Sequence, residues 1–342
     1  MKAARIHQHG GPEVLVYEDA PEPRLRPDQV LVRVRACALN HLDLFVRDGI
    51  PGMRFAMPHV LGSDIAGEIV ATGELCERVK PGWRVLLSPG LSCRQCEPCL
   101  SGADNLCRRY TLFGYAADGG NTELLAAPEY SAIQIPDDLG FEEAAAAPVV
   151  FLTAWHMLMV RARLQPGEDV LVLAAASGVG SAAIQIAKMF QCRVISTAGG
   201  DAKLAKARQL GADYAIDHYR QNISAEVKRI TGKRGVDVVV EHVGAATWPN
   251  SLESLAPGGR LTTCGATTGY DAEIDLRYLF SKQWSLLGSF MGSMGELHQV
   301  LKFVFRKQLK PVIDQVYPLA EIRAAHERVK NPNRFGKVIV RP

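Results

Sequence analysis

Residues 168–190 read EDVLVLAAASGVGSAAIQIAKMF. The first part is an unbroken apolar run, as expected of a strand buried on both faces. The last part, GSAAIQIAKMF, is a helix, and a turn of small residues lies between the two. A strand, a small-residue turn and a helix in immediate succession form the opening unit of a dinucleotide site. The fingerprint G-x-G-x-x-G falls on Ala175, Ser177 and Gly180, so only its last glycine is kept, with Gly178 adding flexibility beside it. Backbone N–H groups at the start of the helix, near Val179 to Ser181, are expected to face a pyrophosphate. A glycine-rich turn with no ligand is the competing reading.

The same alternation continues downstream. CRVISTAG, VDVVVEHV and RLTTCGA read as strands, AKLAKARQLGA as a helix, and NSLESLAPGG as a helix ending at glycine. Apolar strands separated by amphipathic helices predict an α/β, doubly wound parallel sheet over residues 149–290. Upstream the texture differs. QVLVRVRACAL, SDIAGEIVATG and PGWRVLL read as short strands with Gly and Pro between them. Helical sequence begins at GFEEAAAAPVVFLTAWHML, and the tail ends in FGKVIVRP, a last strand for the first domain. The expected organisation is a β-rich domain from residues 1–148 and 291–342 around the cofactor domain.

The second strand of the cofactor domain selects the nucleotide. Sites for NAD usually end this strand with an acid on the ribose 2′-OH. Here VISTAGGDAK puts Ala198 and Gly199 at that place, and Lys203 follows. A 2′-phosphate is not repelled there, and Lys203 can pair with it, as can Arg220 after the third strand. NADP(H) is the expected cofactor; solvated surface charge is the plain alternative for Lys203 and Arg220.

Four of the eight cysteines, Cys93, Cys96, Cys99 and Cys107, follow C-x2-C-x2-C-x7-C in a lobe over about residues 91–108. Such spacing lets one loop turn four thiolates toward a point and close a tetrahedral shell around one zinc ion. A closed shell braces a loop and leaves no position for substrate. An iron–sulfur cluster and free thiols are the alternatives.

Bulk properties exclude some classes. Across 342 residues the net charge is +3, with basic residues scattered, which gives no electrostatic case for nucleic acid or a membrane surface. The N-terminus carries no apolar signal segment, and no window reaches eighteen apolar residues, so a cytoplasmic protein with a small-molecule substrate is expected.

A β-rich domain with a four-cysteine loop, followed by a doubly wound nucleotide domain, resembles the medium-chain dehydrogenase/reductase superfamily over essentially the whole chain. The resemblance implies a GroES-like catalytic domain and a homodimer, or a tetramer, formed through the last strand of the cofactor sheet, WSLLGSF. It implies nicotinamide contacts from Thr153 and from Ser289, Phe290 and Met291. It also marks three positions where zinc alcohol dehydrogenases hold a catalytic metal. Here they read Asn40, Ser63 and, near the third, Phe151, none of which suits an open zinc site. This departure resembles the quinone oxidoreductase and enoyl reductase branch. The implied activity is NADPH-dependent reduction of an activated C=C bond in an enone, quinone or enoyl thioester. Asn40 and Ser63 are expected to polarise the carbonyl, with His41 or water delivering the proton. An alcohol dehydrogenase with an unusual metal site and a non-catalytic NADPH sensor are the alternatives.

Overall fold

The alternating segment Gln29–Ala38 buries Val30, Val32 and Val34 and turns Arg33 and Arg35 outward, as a half-buried strand must. In the computed structural model, which describes residues 1–342, it is the hub of one of two units. That unit comprises Met1–Val149 and Ser293–Pro342; the other is Val150–Gly292. The first ten strands are β1 (Lys2–Ile6), β2 (Leu15–Asp19), β3 (Gln29–Ala38), β4 (His59–Val60), β5 (Asp64–Thr72), β6 (Arg84–Leu87), β7 (Gly90–Leu91), β8 (Thr111–Leu112), β9 (Leu124–Pro128) and β10 (Ala132–Gln134). β3 pairs antiparallel with β5 along its length and with β9 over its first half. Val32, Ile65, Ile69, Val85 and Leu125 pack into one core.

The second unit carries β11 (Asp169–Val172), β12 (Arg193–Ala198), β13 (Tyr214–Asp217), β14 (Val236–Glu241), β15 (Leu255–Thr263) and β16 (Ser285–Gly288). They lie in the order β13-β12-β11-β14-β15-β16, and every pairing is parallel. The predicted doubly wound α/β sheet is present, and its strand order reverses between β11 and β14. One segment differs from expectation. The helix in NSLESLAPGG stops at Glu253, and Leu255 already pairs with Val236 at the start of β15. The Pro-Gly-Gly run sits inside that strand, where the register shifts, so its glycines shape a bulge rather than a helix end.

The chain then completes the first unit with β17 (Ile313–Pro318) and β18 (Lys337–Arg341). β18 pairs antiparallel with the end of β3, Ile339 opposite Ala38 and Val340 opposite Cys37. One helical run, Phe141–Arg161, is long and apolar enough to cross a membrane by length and composition, and most of it is buried inside the protein.

The helix Ile322–Lys330 packs Ile322, Ala325 and Val329 against Ile6, Leu15 and Leu44. It also buries His326 completely. Arg47 Nη1 lies 3.2 Å from His326 Nδ1, and Nε2 is buried without a partner. Burial, reinforced by the Arg47 guanidinium, lowers the His326 pKa to about 3. An unfolded histidine takes its proton near pH 6.5, whereas the folded one takes it only near 3. The stability contribution is therefore complete above pH 6.5 and falls as pH drops below it. Between pH 6.5 and 5, wild type should lose up to about 1.4 kcal/mol per pH unit more than His326→Leu. Urea denaturation across that range measures the difference; equal slopes would contradict the assignment.

Candidate functional site

Three adjacent strands build a buried polar centre in the first unit. The β3–β5 register sets Asp64 opposite Ala38, and the β18 register carries Lys337 alongside Asn40, just past the end of β3. Lys337 Nζ donates to Asp64 Oδ2 at 2.8 Å and to Asn40 Oδ1 at 2.5 Å. Asn40 Nδ2 donates to the same Asp64 oxygen at 3.0 Å and, more weakly, to the Ala38 carbonyl at 3.4 Å. The second Asp64 oxygen accepts the Val149 N–H at 2.8 Å. Asp64 and Lys337 are almost wholly removed from water, so each charge depends on the other.

Asp43 packs below this pair on the helix His41–Asp48. Its carboxylate accepts the Asn40 N–H at 2.6 Å and the Gly62 N–H at 2.8 Å. Burial pushes it up to about 6, against those two N–H groups and the Lys337 ammonium. Ser63 is fully buried, and its hydroxyl donates to the Phe113 carbonyl at 2.7 Å. His41, in contrast, is exposed at the first position of the helix.

Asn40 and Ser63, expected to polarise a substrate carbonyl, make hydrogen bonds inside the protein, Asn40 Nδ2 to Asp64 and Ser63 Oγ to the Phe113 carbonyl. These residues do not suit a metal. Asn40 Oδ1 is occupied by the Lys337 ammonium and Asp64 Oδ2 is neutralised by it, and a divalent cation beside that ammonium would be repelled. Phe151, near the third marked position, is a buried apolar side chain. Sequence reading missed Lys337 altogether.

The cysteine lobe does fit a metal. All four sulfurs lie within 4.8 Å of one another, with Cys93–Cys99 at 3.9 Å and Cys96–Cys99 at 3.4 Å. A zinc tetrahedron with Zn–S of about 2.3 Å has S–S edges of about 3.8 Å. Short turns bring them together: Arg94 and Gly102 adopt positive φ, and Pro98 opens the helical turn Glu97–Leu100. The Gln95 N–H draws the Cys93 thiol down to about 5. Cys96, against the Cys99 N–H that lowers it, is pushed up to about 12 by desolvation and neighbouring sulfurs. A divalent cation relieves that crowding. Asp104 ties the lobe to its own unit by accepting the Met294 N–H at 2.9 Å.

In the second unit, Ser177 caps the helix Gly178–Met189 by accepting the Gly180 N–H at 2.8 Å. A Cβ on Gly180 would come within 2.3 Å of the Ala174 carbonyl oxygen, so this glycine permits the tight turn. Ala175 is buried, and its N–H bonds the Thr197 carbonyl of β12 at 2.8 Å. The Ser181 N–H is taken by the Ser177 carbonyl. The groups at the open end are therefore the N–H groups of Gly178 and Val179, not the expected run from Val179 to Ser181.

Ala198 ends β12 and is buried, with no acid at this place. A Cβ on Gly199 would meet the Tyr219 ring at 2.2 Å; that ring is an exposed platform the sequence reading missed. Lys203 is half-buried on the helix Asp201–Gln209. Arg220 is paired with Asp201 at 3.1 Å and with Asp217 at 3.5 Å, so its charge is already engaged. Thr153 is buried, with Oγ1 4.0 Å from Met291 Sδ. Met291 sits at φ +52, Phe290 is exposed, and Ser289 Oγ is buried without a partner.

Comparison with known proteins agrees with this anatomy. The family model described as "Alcohol dehydrogenase GroES-like domain" matches residues 26–137, and "Zinc-binding dehydrogenase" matches 178–306. Human quinone oxidoreductase is 30% identical, covering 99% of this chain and 97% of its own length. A solved NAD-dependent alcohol dehydrogenase is 44% identical with a TM-score of 0.97, covering all of both chains. A crotonyl-CoA carboxylase/reductase variant solved in complex with NADP gives a TM-score of 0.92 at 25% identity, over 100% of this chain and 94% of that one. Fold and site define a nucleotide-dependent oxidoreductase. The chain belongs to the medium-chain dehydrogenase/reductase superfamily, in its quinone oxidoreductase and enoyl reductase branch.

Removing one partner of the buried pair should be costly. Lys337→Met or Asp64→Asn alone is expected to destabilise the protein by about 3–5 kcal/mol. The double variant should recover part of that loss in urea unfolding; fully additive losses would show the two charges to be independent.

Proposed function

We propose that the protein is an NADPH-dependent reductase of activated C=C bonds or quinones that works without a catalytic zinc. The observation that carries this reading is the Asn40–Asp64–Lys337 network. It fills with an ammonium the place where the alcohol dehydrogenases of the superfamily are expected to hold metal. Alcohol oxidation leans on a Lewis acid to lower the hydroxyl pKa. Adding to a carbonyl-conjugated double bond requires only that hydrogen-bond donors meet the charge arriving at the oxygen.

When bound, NADPH supplies the hydride. Gly178 and Val179 N–H groups hold its pyrophosphate, and Ala198 and Gly199 leave room for the 2′-phosphate. Lys203 pairs with that phosphate; Arg220, already tied to two aspartates, contributes less. Thr153, Ser289, Phe290 and Met291 form the nicotinamide end of the second unit's site. With Asn40 and Ser63 committed to structure, exposed His41 remains as the titratable side chain for proton delivery. One structural zinc, held by Cys93, Cys96, Cys99 and Cys107, braces the lobe.

A second reading, an alcohol dehydrogenase using NAD, is favoured by the solved structure of that description at 44% identity. NADPH and NADH consumption with enones, quinones, crotonyl-type thioesters and, in reverse, alcohols separates the two. The expected result is NADPH oxidation with at least one alkene or quinone class. Lys203→Ala should weaken NADPH about ten- to a hundredfold with little change for NADH. Alcohol turnover alone, or NADH preferred by wild type, would sink the reading.

The partner is a small molecule and a second copy of the chain. β16 is the outermost strand of its sheet, so one of its edges offers unpaired backbone groups. Sedimentation should give a mass of two chains or four; a single-chain mass at micromolar concentration would remove the assembly.

A further inference from the structure

An arch of chain, residues 288–292, follows β16 and lies against the helix formed by residues 150–161 of the same unit. Three contacts hold it there. Arg161 Nε donates to the Gly288 carbonyl at 2.7 Å. Thr153 Oγ1 approaches Met291 Sδ at 4.0 Å. A Cβ on Gly292 would come within 2.6 Å of Leu152 Cδ1 and 3.2 Å of His156 Cβ, so the chain meets the helix there because this residue has no side chain. Between these anchors Phe290 stays 61% exposed, and Met291 turns through φ +52, a strained conformation for a residue with a side chain.

The anchors line up because the helix changes its winding. Leu152 and His156 are four residues apart and share a face of a regular helix. Arg161 comes five residues after His156, and regular turns would leave it about 140° away around the axis. Residues His156–Arg161 instead form a π-helix, in which the Ala162 N–H reaches back to the Met157 carbonyl at 2.9 Å. Its i→i+5 repeat returns Arg161 to the face that meets the arch. The Ser289 N–H is held by the Thr263 carbonyl of β15 at 2.8 Å. β16 is outermost, so no further strand steadies this end of it, and Arg161 takes that place.

We propose that Arg161 is a positioning residue: by holding the Gly288 carbonyl it fixes the arch of residues 288–292, and with it the nicotinamide that the arch contacts, before the cofactor binds. This rests on the reading above of Ser289, Phe290 and Met291 as the nicotinamide end of the site. An arch released from Arg161 has to be ordered at each binding event, a cost that falls on the nicotinamide half of the cofactor alone.

Two variants of the full chain test the role against wild type. Arg161→Ala loses the donor, and Arg161→Lys keeps one. NADPH affinity is read by nicotinamide fluorescence, and that of 2′,5′-ADP, which has no nicotinamide, by calorimetry. Arg161→Ala should weaken NADPH about tenfold, the loss of one hydrogen bond from a charged group, and leave 2′,5′-ADP unchanged. Arg161→Lys should stay within about threefold of wild type for both. Wild-type NADPH affinity in Arg161→Ala would overturn the proposal. So would equal weakening of both ligands, which marks a general loss of structure, or a loss in Arg161→Lys as large as that in Arg161→Ala. If wild type takes NADH in place of NADPH, the NADPH reading fails, and NADH with ADP-ribose carries the same comparison for Arg161. Wild type binding neither nucleotide would overturn the dinucleotide reading, and this inference with it.

Discussion

A single buried ion pair organises the first unit. Asp64 and Lys337 are removed from water and satisfied by each other, by Asn40 and by the Val149 N–H. Charges at this depth persist only when partnered, because their desolvation costs several kcal/mol per ion. The pair fixes β18 against β3 and β3 against β5, and holds the start of the helix His41–Asp48 through Asn40. It also decides chemistry, since a carboxylate neutralised by an ammonium offers little to Zn²⁺.

The side chains that fit a metal are those of the cysteine lobe. The four sulfurs of the lobe are spaced as a closed zinc shell needs, and Asp104 ties that lobe to the helix Met294–Phe305 of the same unit. The second unit offers a nucleotide a serine-capped helix with two open N–H groups and a strand end without an acid. A solved neighbour named alcohol dehydrogenase shares the fold, and relatives named quinone oxidoreductase match over almost the whole chain.

Much of this was legible in the sequence, for physical reasons. Apolar runs alternating with helical spacing mark β11, β12 and β14 and the helices Gly178–Met189 and Asp201–Gln209, and the cysteine spacing is local enough to imply a common point. What was not legible depends on distant registers. Lys337 lies 297 residues from Asn40 and looks like an ordinary lysine opening a strand. Only the β3–β18 pairing turns it inward. For the same reason Asn40 and Ser63 read as donors for a ligand, although Asp64 and the Phe113 carbonyl already claim them. Tyr219 against Gly199 was hidden likewise, a contact spanning two strand ends. The Pro-Gly-Gly run was misread as a helix end because its cue is local, while the pairing of Leu255 with Val236 is not.

The central claim is that an ammonium stands where a catalytic metal would sit. A crystal grown with excess zinc and measured at the zinc absorption edge tests it most directly. The account predicts one anomalous peak per chain, enclosed by Cys93, Cys96, Cys99 and Cys107. A second peak beside Asn40 and Asp64, with Lys337 displaced from the carboxylate, would contradict it.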